Sequence, residues 1–279
     1  MEPFALNPTV REAPPYASTS STIQVCAQLL PLSEWSGERG VSAGFTTRFA
    51  GNTALHVGDD PDAVIARRRA IAEAVGWSYE AWTCGEQVHG KRVHAVRRED
   101  AGSGREDRES AFADTDALIT NEPDILLVQF FADCVPLYFL DPTTGAMGLA
   151  HAGWRGAVAD IAGETVRRMT ECYGTQASDL RAAIGPSIGA CCYEVDEAVI
   201  RHIREIPGAD RVLTPSVPGK KRLDLKELNR HFMIKAGIMP DRIELSSWCT
   251  GCRTDIFFSH RQENGQTGRM MSFLGRKLR

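Results

Sequence analysis

This chain of 279 residues lacks the features that define several large protein classes. Its longest apolar runs, near Ile125 and Val135, break within about eight residues, well short of the roughly 20 that a membrane helix needs. It has no GxGxxG or P-loop sequence, which argues against a Rossmann cofactor or a nucleoside triphosphate site. Its net charge of −4 provides no basic excess for a nucleic-acid backbone. We therefore expect neither a membrane nor a nucleic-acid partner.

An export signal is also missing from the first residues. Glu2 stands where a secretory signal carries positive charge, and no apolar segment follows it. Residues 1–22 are rich in proline, serine and threonine, which predicts a flexible tail, with one catalytic domain at 23–279. We expect a cytoplasmic protein whose eight cysteines stay reduced.

The remaining sequence has the composition of a globular domain with a sizeable core, with 43% apolar and 24% charged residues. Strand and helix patterns alternate irregularly, with several hairpins, which predicts an α/β single-domain layered sandwich with a mixed β-sheet. One helix is expected over 61–76, with Asp60 as its N-cap and Pro61 in its first position. A second is expected over about 157–173, after Gly153 and Gly156 break a strand.

A cysteine and a histidine form the most informative pair in the chain. Apolar strands are predicted at 135–140 and 146–150, and residues 141–145 between them have the composition of a hairpin turn. Cys134 precedes the first strand and His151 ends the second, so their side chains should come within about 5 Å across the hairpin. Such a pair suits either a histidine-activated thiolate nucleophile or two metal ligands.

Five segments then occur in the order seen in the YfiH-like family, also called the laccase-domain or multicopper polyphenol oxidase family, which this chain closely resembles. The resemblance runs from about Gly44 to Met270. The segments are Gln-Val-His-Gly at 87–90, Ala-Asp-Thr-Asp-Ala-Leu at 113–118, Ala-Asp-Cys-Val-Pro at 132–136, His-Ala-Gly-Trp-Arg-Gly at 151–156 and Ile-Gly-Pro-Ser-Ile-Gly-Ala-Cys-Cys-Tyr-Glu-Val at 184–195.

The resemblance implies a mononuclear zinc site formed by His89, Cys134 and His151. Three protein ligands leave a fourth position for water or substrate, as in catalytic zinc sites. The implied activities are phosphorolysis of adenosine, inosine, guanosine or methylthioadenosine and deamination of adenosine, with purine nucleosides and phosphate as the ligands. The implied fold is similar to that of toxins of the cytotoxic necrotising factor type, which are cysteine hydrolases.

Four further residues are candidates for roles around this site. Asp133 is expected to orient a ligand or to shuttle a proton. Arg48, with Arg155 as a second candidate, is expected to bind phosphate through parallel hydrogen bonds. Asn52 aligns with an asparagine of the family, although the loop between it and Arg48 is shorter here than in most members.

Three alternatives remain open at this stage. A metal-free cysteine hydrolase would use a Cys134/His151 dyad, acting on an amide or on a peptidoglycan precursor. A copper-dependent polyphenol oxidase (laccase) would need a type 1 copper and a trinuclear cluster, for which seven histidines without HxH pairs are too few, although adventitious copper could occupy the site. A non-enzymatic binding module would not depend on Cys134.

Two other cysteine pairs stand outside this assignment. Cys249 and Cys252 form a CxxC sequence, but no second CxxC accompanies it, so a structural metal is not expected there. The adjacent pair Cys191 and Cys192 is interpreted as packing within a glycine-rich loop.

Removal of the metal should abolish turnover but leave the fold intact, because the core of this domain does not depend on zinc. Dialysis against a strong chelator, followed by circular dichroism and adenosine turnover in parallel, tests this. Zn²⁺ added back at neutral pH should restore activity. Full activity in metal-free protein would instead favour the Cys134/His151 dyad.

Overall fold

The computed structural model describes residues 1–5, 29–35 and 40–278. Two β-sheets form the centre of this described part, and helices cover their outer faces. The described strands are β1 (Leu29–Pro31), β2 (Val41–Thr46), β3 (Trp82–Cys84), β4 (Val93–Ala95), β5 (Ala117–Thr120), β6 (Leu126–Phe131), β7 (Val135–Leu140), β8 (Met147–Ala152), β9 (Arg181–Ile184), β10 (Glu194–Val195), β11 (Leu213–Pro215), β12 (Lys221–Leu223), β13 (Ile243–Leu245) and β14 (Met270–Arg276).

The strands form two large mixed sheets and one small sheet. The first large sheet has the order β1-β2-β14-β6-β3, and the second has the order β13-β9-β7-β8-β5-β4. Most neighbours are antiparallel, whereas the pairs β3–β6, β4–β5 and β9–β13 are parallel. Strands β10, β12 and β11 form the small antiparallel sheet. The mixed character of the predicted sheet is therefore confirmed.

The α-helices of the described residues are few and short. They are α1 (Pro61–Ala74), α2 (Trp154–Val158), α3 (Ile161–Tyr173), α4 (Glu197–Arg204) and α5 (Leu225–Lys235). Helix α1 begins as predicted, since the Asp60 side chain accepts a hydrogen bond from the Asp62 N–H (3.3 Å), but it ends two residues earlier, at Ala74. None of the helices described is long and apolar enough to cross a bilayer.

Strand β7 explains how the layers fit together, because all six of its residues are buried. Successive side chains of a strand point to opposite faces. Leu137 and Phe139 accordingly pack beneath α3 and α5, whereas Tyr138 and Leu140 pack between the two sheets with Phe131 of β6. Helix α1 covers the outer face of the first sheet through Ile71. The result is the expected α/β sandwich, with helices outside two facing sheets.

The predicted helix over about 157–173 is two helices. Asp160 separates α2 from α3 because its backbone is left-handed (φ 61°), which interrupts the helical path. Its carboxylate then caps α3 by accepting the Gly163 N–H at 2.8 Å. Gly156, expected to break the strand, instead lies buried within α2, where an added Cβ would come within 2.8 Å of the Gly90 carbonyl oxygen.

The predicted flexible tail at 1–22 lies mostly outside the described residues. Its described part packs against the domain, since Phe4 is fully buried against Tyr138 and forms an isolated bridge with Leu32. The Glu2 carboxylate also accepts hydrogen bonds from the Ser246 and Ser247 hydroxyls at 2.8 and 2.6 Å. Apolar burial of a phenylalanine outweighs the low structural propensity of the surrounding prolines at this point.

A candidate metal centre in an arginine-rich cavity

The β7–β8 hairpin brings Cys134 to His151. Asp141 organises its turn by accepting the N–H groups of Thr143 and Thr144 at 2.8 and 3.1 Å, and Gly145 supplies the left-handed residue (φ 74°). The register pairs Pro136 with His151, so Cys134 lies just beyond the end of the hairpin, on the same face as the imidazole. The predicted approach of the two side chains to within about 5 Å is confirmed, since their ligand atoms lie within 4.8 Å of each other.

His89 reaches the same place from the loop between β3 and β4. Its backbone is left-handed (φ 62°), which costs a non-glycine residue about 1–3 kcal/mol. Asp116 offsets this cost, because its carboxylate accepts the N–H groups of Val88 (3.1 Å), His89 (3.0 Å) and Gly90 (2.7 Å). The His89 and His151 rings meet edge to face, with centroids 4.8 Å apart.

Asp116 also orients His151, although sequence reasoning assigned it no role. The carboxylate is fully buried and its Oδ1 lies 2.8 Å from His151 Nδ1. An ionised carboxylate can only accept, so Nδ1 carries the proton and Nε2 is left for the site. Burial would raise the pKa of Asp116, but its hydrogen bonds to His151 and to the loop N–H groups lower it. The sole earlier signal was its position in the Ala-Asp-Thr-Asp-Ala-Leu segment.

The three side chains fit a metal ion of the zinc type. One ligand atom from each of His89, Cys134 and His151 lies within 4.8 Å of the other two. One thiolate and two imidazoles are a ligand set found in catalytic zinc sites, and Asp116 supplies the carboxylate that commonly holds a ligating histidine. His151 is buried while His89 is exposed, so one side of the centre opens outward.

The electrostatics of the pair favour charge separation in the metal-free protein. Burial would raise the pKa of the Cys134 thiol, but the charge of His151 and hydrogen bonds from both histidines outweigh it and lower the pKa to about 6. Burial would lower the pKa of His151, but the thiolate and Asp116 raise it to about 9. At neutral pH the pair is therefore a thiolate beside an imidazolium.

A cavity of about 450 Å³ opens beside the three ligands. Its wall is largely aromatic and cationic, a combination that suits a planar or anionic ligand. The residues lining it are His56, Gln87, His89, Phe130, Ala132, Asp133, Cys134, His151, Trp154, Arg155, Ile188, Tyr193, Leu225, His260, Arg261 and Arg269. Of the predicted substrate contacts, Arg155 is present, and its guanidinium stacks 4.5 Å from the Trp154 ring.

Arg48 and Asn52 do not line this cavity. The Arg48 guanidinium pairs with Glu263 (3.1 Å) and lies 4.9 Å above the Phe258 ring, so its donors serve the fold. The Asn52 amide bridges Ala54 and Arg269 by accepting both N–H groups at 3.1 and 2.9 Å. Asn52 therefore contributes indirectly, because it holds the backbone of Arg269, which lines the cavity.

Asp133 lines the cavity but is fully engaged elsewhere. Its Oδ1 accepts the hydroxyls of Thr250 (2.6 Å) and Ser259 (2.8 Å), and its Oδ2 accepts the Arg261 N–H (2.7 Å). These bonds tie the start of the hairpin to a distant loop. The contact of Asp116 with His151 suits the ligand-orienting role that was expected of Asp133. Proton transfer by Asp133 stays a prediction.

Sequence reasoning also missed two polar residues that line the cavity, Arg269 and His56. Arg269 follows the Thr-Gly pair at 267–268, where its Nη1 donates to both carbonyls at 2.8 and 3.0 Å and fixes the guanidinium. Burial lowers the pKa of His56 to about 4, with Arg269 adding to the effect, so its imidazole is neutral. Neither residue stood in a segment with a recognisable chemical pattern.

The two remaining cysteine pairs come together, contrary to their interpretation as packing and an isolated CxxC. The sulfurs of Cys191, Cys192, Cys249 and Cys252 lie within 4.8 Å of one another. A second CxxC is unnecessary here, because the vicinal pair supplies the other two sulfurs.

The chain is similar to several known proteins over most of its length. The profile of the family described as multi-copper polyphenol oxidoreductase laccase matches residues 36–277. Purine nucleoside phosphorylase YlmD of Geobacillus stearothermophilus is 43% identical over 249 residues, covering 85% of this chain and 91% of that protein. The protein of the same name from Bacillus subtilis is 39% identical over 262 residues, covering 89% and 94%.

A solved structure has the same fold. The crystal structure of the Bacillus licheniformis hypothetical protein YfiH superposes with a TM-score of 0.86 at 41% identity, covering 90% of this chain and 97% of that one.

Gly153→Ala should abolish zinc binding at this centre without unfolding the protein. An added Cβ would lie 2.6 Å from His89 Cδ2 and 3.2 Å from Cys134 Sγ, so the His89 ring must leave its position. Gly90→Ala is the matched control, since its Cβ would make ordinary contacts at 3.5 Å or more. Zinc titration of both variants, with circular dichroism, measures this; equal affinity in the two variants would contradict the geometry.

Zinc affinity at this centre should rise with pH between about 6 and about 9. The raised pKa of His151 means that zinc must displace one proton in this window, giving about a tenfold gain per pH unit. Below about pH 6 the thiol is protonated as well, and the dependence should steepen. Competition with a chromophoric chelator measures the affinity, and a His89→Ala variant subtracts zinc bound elsewhere. A level affinity across this window would contradict an imidazolium at His151.

Proposed function

The chain belongs to the YfiH-like family, described as multi-copper polyphenol oxidoreductase laccase, and on this basis we propose that it is a zinc-dependent purine nucleoside phosphorylase that also deaminates adenosine. Its substrates would be adenosine, inosine, guanosine and methylthioadenosine, with phosphate as co-substrate of phosphorolysis. We further propose that the catalytic domain comprises residues 23–279.

One observation carries this proposal. A sulfur and two imidazole nitrogens converge within 4.8 Å on the wall of a cavity of about 450 Å³ that also holds several arginines. This volume lies within the range of pockets that enclose small organic ligands. The names of the similar proteins from Geobacillus stearothermophilus and Bacillus subtilis support the same activity.

His89, Cys134 and His151 would hold the zinc ion. When bound, zinc supplies a Lewis acid that also lowers the pKa of water. Asp116 keeps the proton on His151 Nδ1, which fixes the ring so that Nε2 faces the site.

Arginine side chains would position the phosphate. Arg155, Arg261 and Arg269 line the cavity, and a guanidinium can hold a phosphate through two parallel hydrogen bonds. In phosphorolysis a phosphate oxygen forms a bond to the anomeric carbon while the glycosidic C–N bond breaks, and the base departs with the electron pair. Fixed cations near the incoming phosphate favour this step by orienting it. We leave Arg48 out of this proposal, because its guanidinium donates to Glu263 and to the Thr254 carbonyl.

Aromatic groups would hold the base and sugar. Trp154 and Tyr193 line the cavity and offer flat apolar faces to a purine. Burial raises the pKa of Tyr193 to about 12, with Cys134 and Asp133 adding to the effect, so its hydroxyl remains a donor at neutral pH. The neutral His56 offers one donor and one acceptor at the same cavity.

A metal-free cysteine hydrolase is the second candidate, and the thiolate–imidazolium pair of Cys134 and His151 favours it. Such a dyad could act on an amide, including one in a peptidoglycan precursor. His89 separates the two functions, because a dyad needs no second imidazole at the sulfur. A multicopper oxidase is disfavoured, since only two of the seven histidines belong to the ligand groups found in the described residues.

The zinc-loaded protein should convert inosine to hypoxanthine and ribose 1-phosphate only when phosphate is present, and should release ammonia from adenosine without it. His89→Ala should abolish both reactions and the bound zinc together, because the site loses one of three ligands. His231→Ala, outside the cavity, is the control. Absence of ribose 1-phosphate and hypoxanthine would refute the phosphorylase, and near-normal activity of metal-free His89→Ala would favour the dyad.

A further inference from the structure

A cluster of four cysteines lies outside the proposed catalytic centre. Cys191 and Cys192 belong to the loop between β9 and β10, and Cys249 and Cys252 to the loop that follows β13. Cys252 Sγ is 3.3 Å from Cys191 Sγ and 3.4 Å from Cys192 Sγ, and all four sulfurs lie within 4.8 Å of one another. The two halves of the cluster are about 60 residues apart in the chain, so the fold itself brings them together.

The backbone holds the two loops in register. Ser187 and Cys249 form an isolated parallel bridge, in which the Thr250 N–H donates to the Ser187 carbonyl at 3.1 Å. The Gly189 N–H donates to Cys249 Sγ at 3.2 Å. A backbone N–H group directed at a sulfur stabilises its thiolate, which is the form that binds a metal ion.

Glycines leave room for the sulfurs to converge. A Cβ added to Gly251 would lie 2.8 Å from Cys192 Cβ and 3.2 Å from its Sγ, and one added to Gly189 would lie 3.2 Å from Cys191 Sγ. Both glycines therefore stand where any larger residue would push a sulfur away. The two glycines thus allow the four sulfurs to lie close together. Cys249 is buried and Cys192 is half-buried, whereas Cys191 and Cys252 are exposed.

A buried positive charge lies beside the cluster. Lys226 is buried next to the cluster, where its Nζ donates to the carbonyls of Ser246 (2.8 Å) and Trp248 (2.7 Å). A tetrathiolate zinc centre carries a charge of −2, which a buried ammonium partly balances.

We propose that Cys191, Cys192, Cys249 and Cys252 bind a second metal ion, a structural zinc coordinated by four thiolates. Tetrahedral zinc with Zn–S bonds of about 2.3 Å places its sulfurs about 3.8 Å apart, within the spread of the separations seen here. Binding forms four Zn–S bonds and releases the thiol protons, with no change of oxidation state. Four protein ligands close the coordination sphere, so this site has a structural and not a catalytic character.

The second site would stiffen one wall of the cavity. The first loop also carries Ile188 and Tyr193, and the second leads to His260 and Arg261, all of which line the cavity. A metal ion joining the two loops near these residues restricts their relative movement. This role does not depend on which reaction the cavity supports.

Metal analysis of the full chain purified without chelators tests the proposal. The wild type should contain one zinc ion for each of the two clusters, and Cys252→Ser and Cys249→Ser should each lose one. Cys172→Ser is the matched control, because Cys172 is exposed and belongs to neither cluster, and it should retain both ions. Identical zinc content in the wild type and Cys252→Ser would overturn the proposal.

His89→Ala separates this test from that of the proposed function. Zinc lost only in His89→Ala refutes the four-cysteine site and leaves the catalytic centre standing, whereas zinc lost only in Cys252→Ser does the reverse. Cobalt substitution gives a second readout that does not depend on the stability of any variant. The charge-transfer absorption from sulfur to cobalt should be much stronger in the wild type than in Cys252→Ser. The reason is that the four-cysteine site would contribute more thiolates than the one of the proposed catalytic centre.

The competing state of the cluster is a disulfide. Intact mass under native, non-reducing conditions distinguishes it, since each disulfide removes two hydrogen atoms and takes two of the four sulfurs that the zinc site needs. Four reduced thiols that become reactive to a thiol reagent only after chelation support the metal site. A disulfide within the cluster in freshly purified protein would overturn it.

Discussion

One buried carboxylate holds the proposed catalytic centre together. Asp116 accepts three consecutive backbone N–H groups from the loop of His89 and lies 2.8 Å from His151 Nδ1. A single charged group therefore sets the position of one proposed ligand through its backbone and the orientation of another through its ring. The side-chain amide of an asparagine in its place would point its NH₂ group at other N–H donors. A neutral side chain of the same shape therefore cannot both hold the loop of His89 and orient the ring of His151. The same carboxylate stabilises the left-handed backbone of His89.

The apolar packing of the two sheets supports this buried polar network. Strand β7 is covered on both faces, so the hairpin that begins after Cys134 is packed on both sides. The first sheet covers one of these faces through Phe131. The polar groups of the site collect where the strands end, and their hydrogen bonds are satisfied locally. Asp133 extends this arrangement by joining the hairpin to the loop of Thr250 and Ser259. The cavity wall is thus assembled from chain segments more than 100 residues apart.

The part of the site that could be predicted from the residues alone is the part set by short-range geometry. Cys134 and His151 follow from a hairpin whose turn and register can be read locally, and His89 follows from family resemblance. The ion pair of Arg48 with Glu263 could not be predicted from a local pattern, because the two residues lie 215 positions apart. The four-cysteine cluster was missed for the same reason. Asp160 split a helix that its periodicity had suggested was continuous, since a side-chain cap with a left-handed backbone leaves little trace in hydrophobic spacing.

The position of β14 limits how early the first large sheet can be completed during synthesis. This strand lies between β2 and β6, although it follows every other described strand in sequence. Until it leaves the ribosome, the facing edges of β2 and β6 have unpaired backbone groups and apolar side chains in contact with water. Open edges of this kind invite pairing with other chains. A chain in which β14 has not yet paired would therefore expose two strand edges that favour aggregation, and a chaperone that shields such edges would act before β14 pairs.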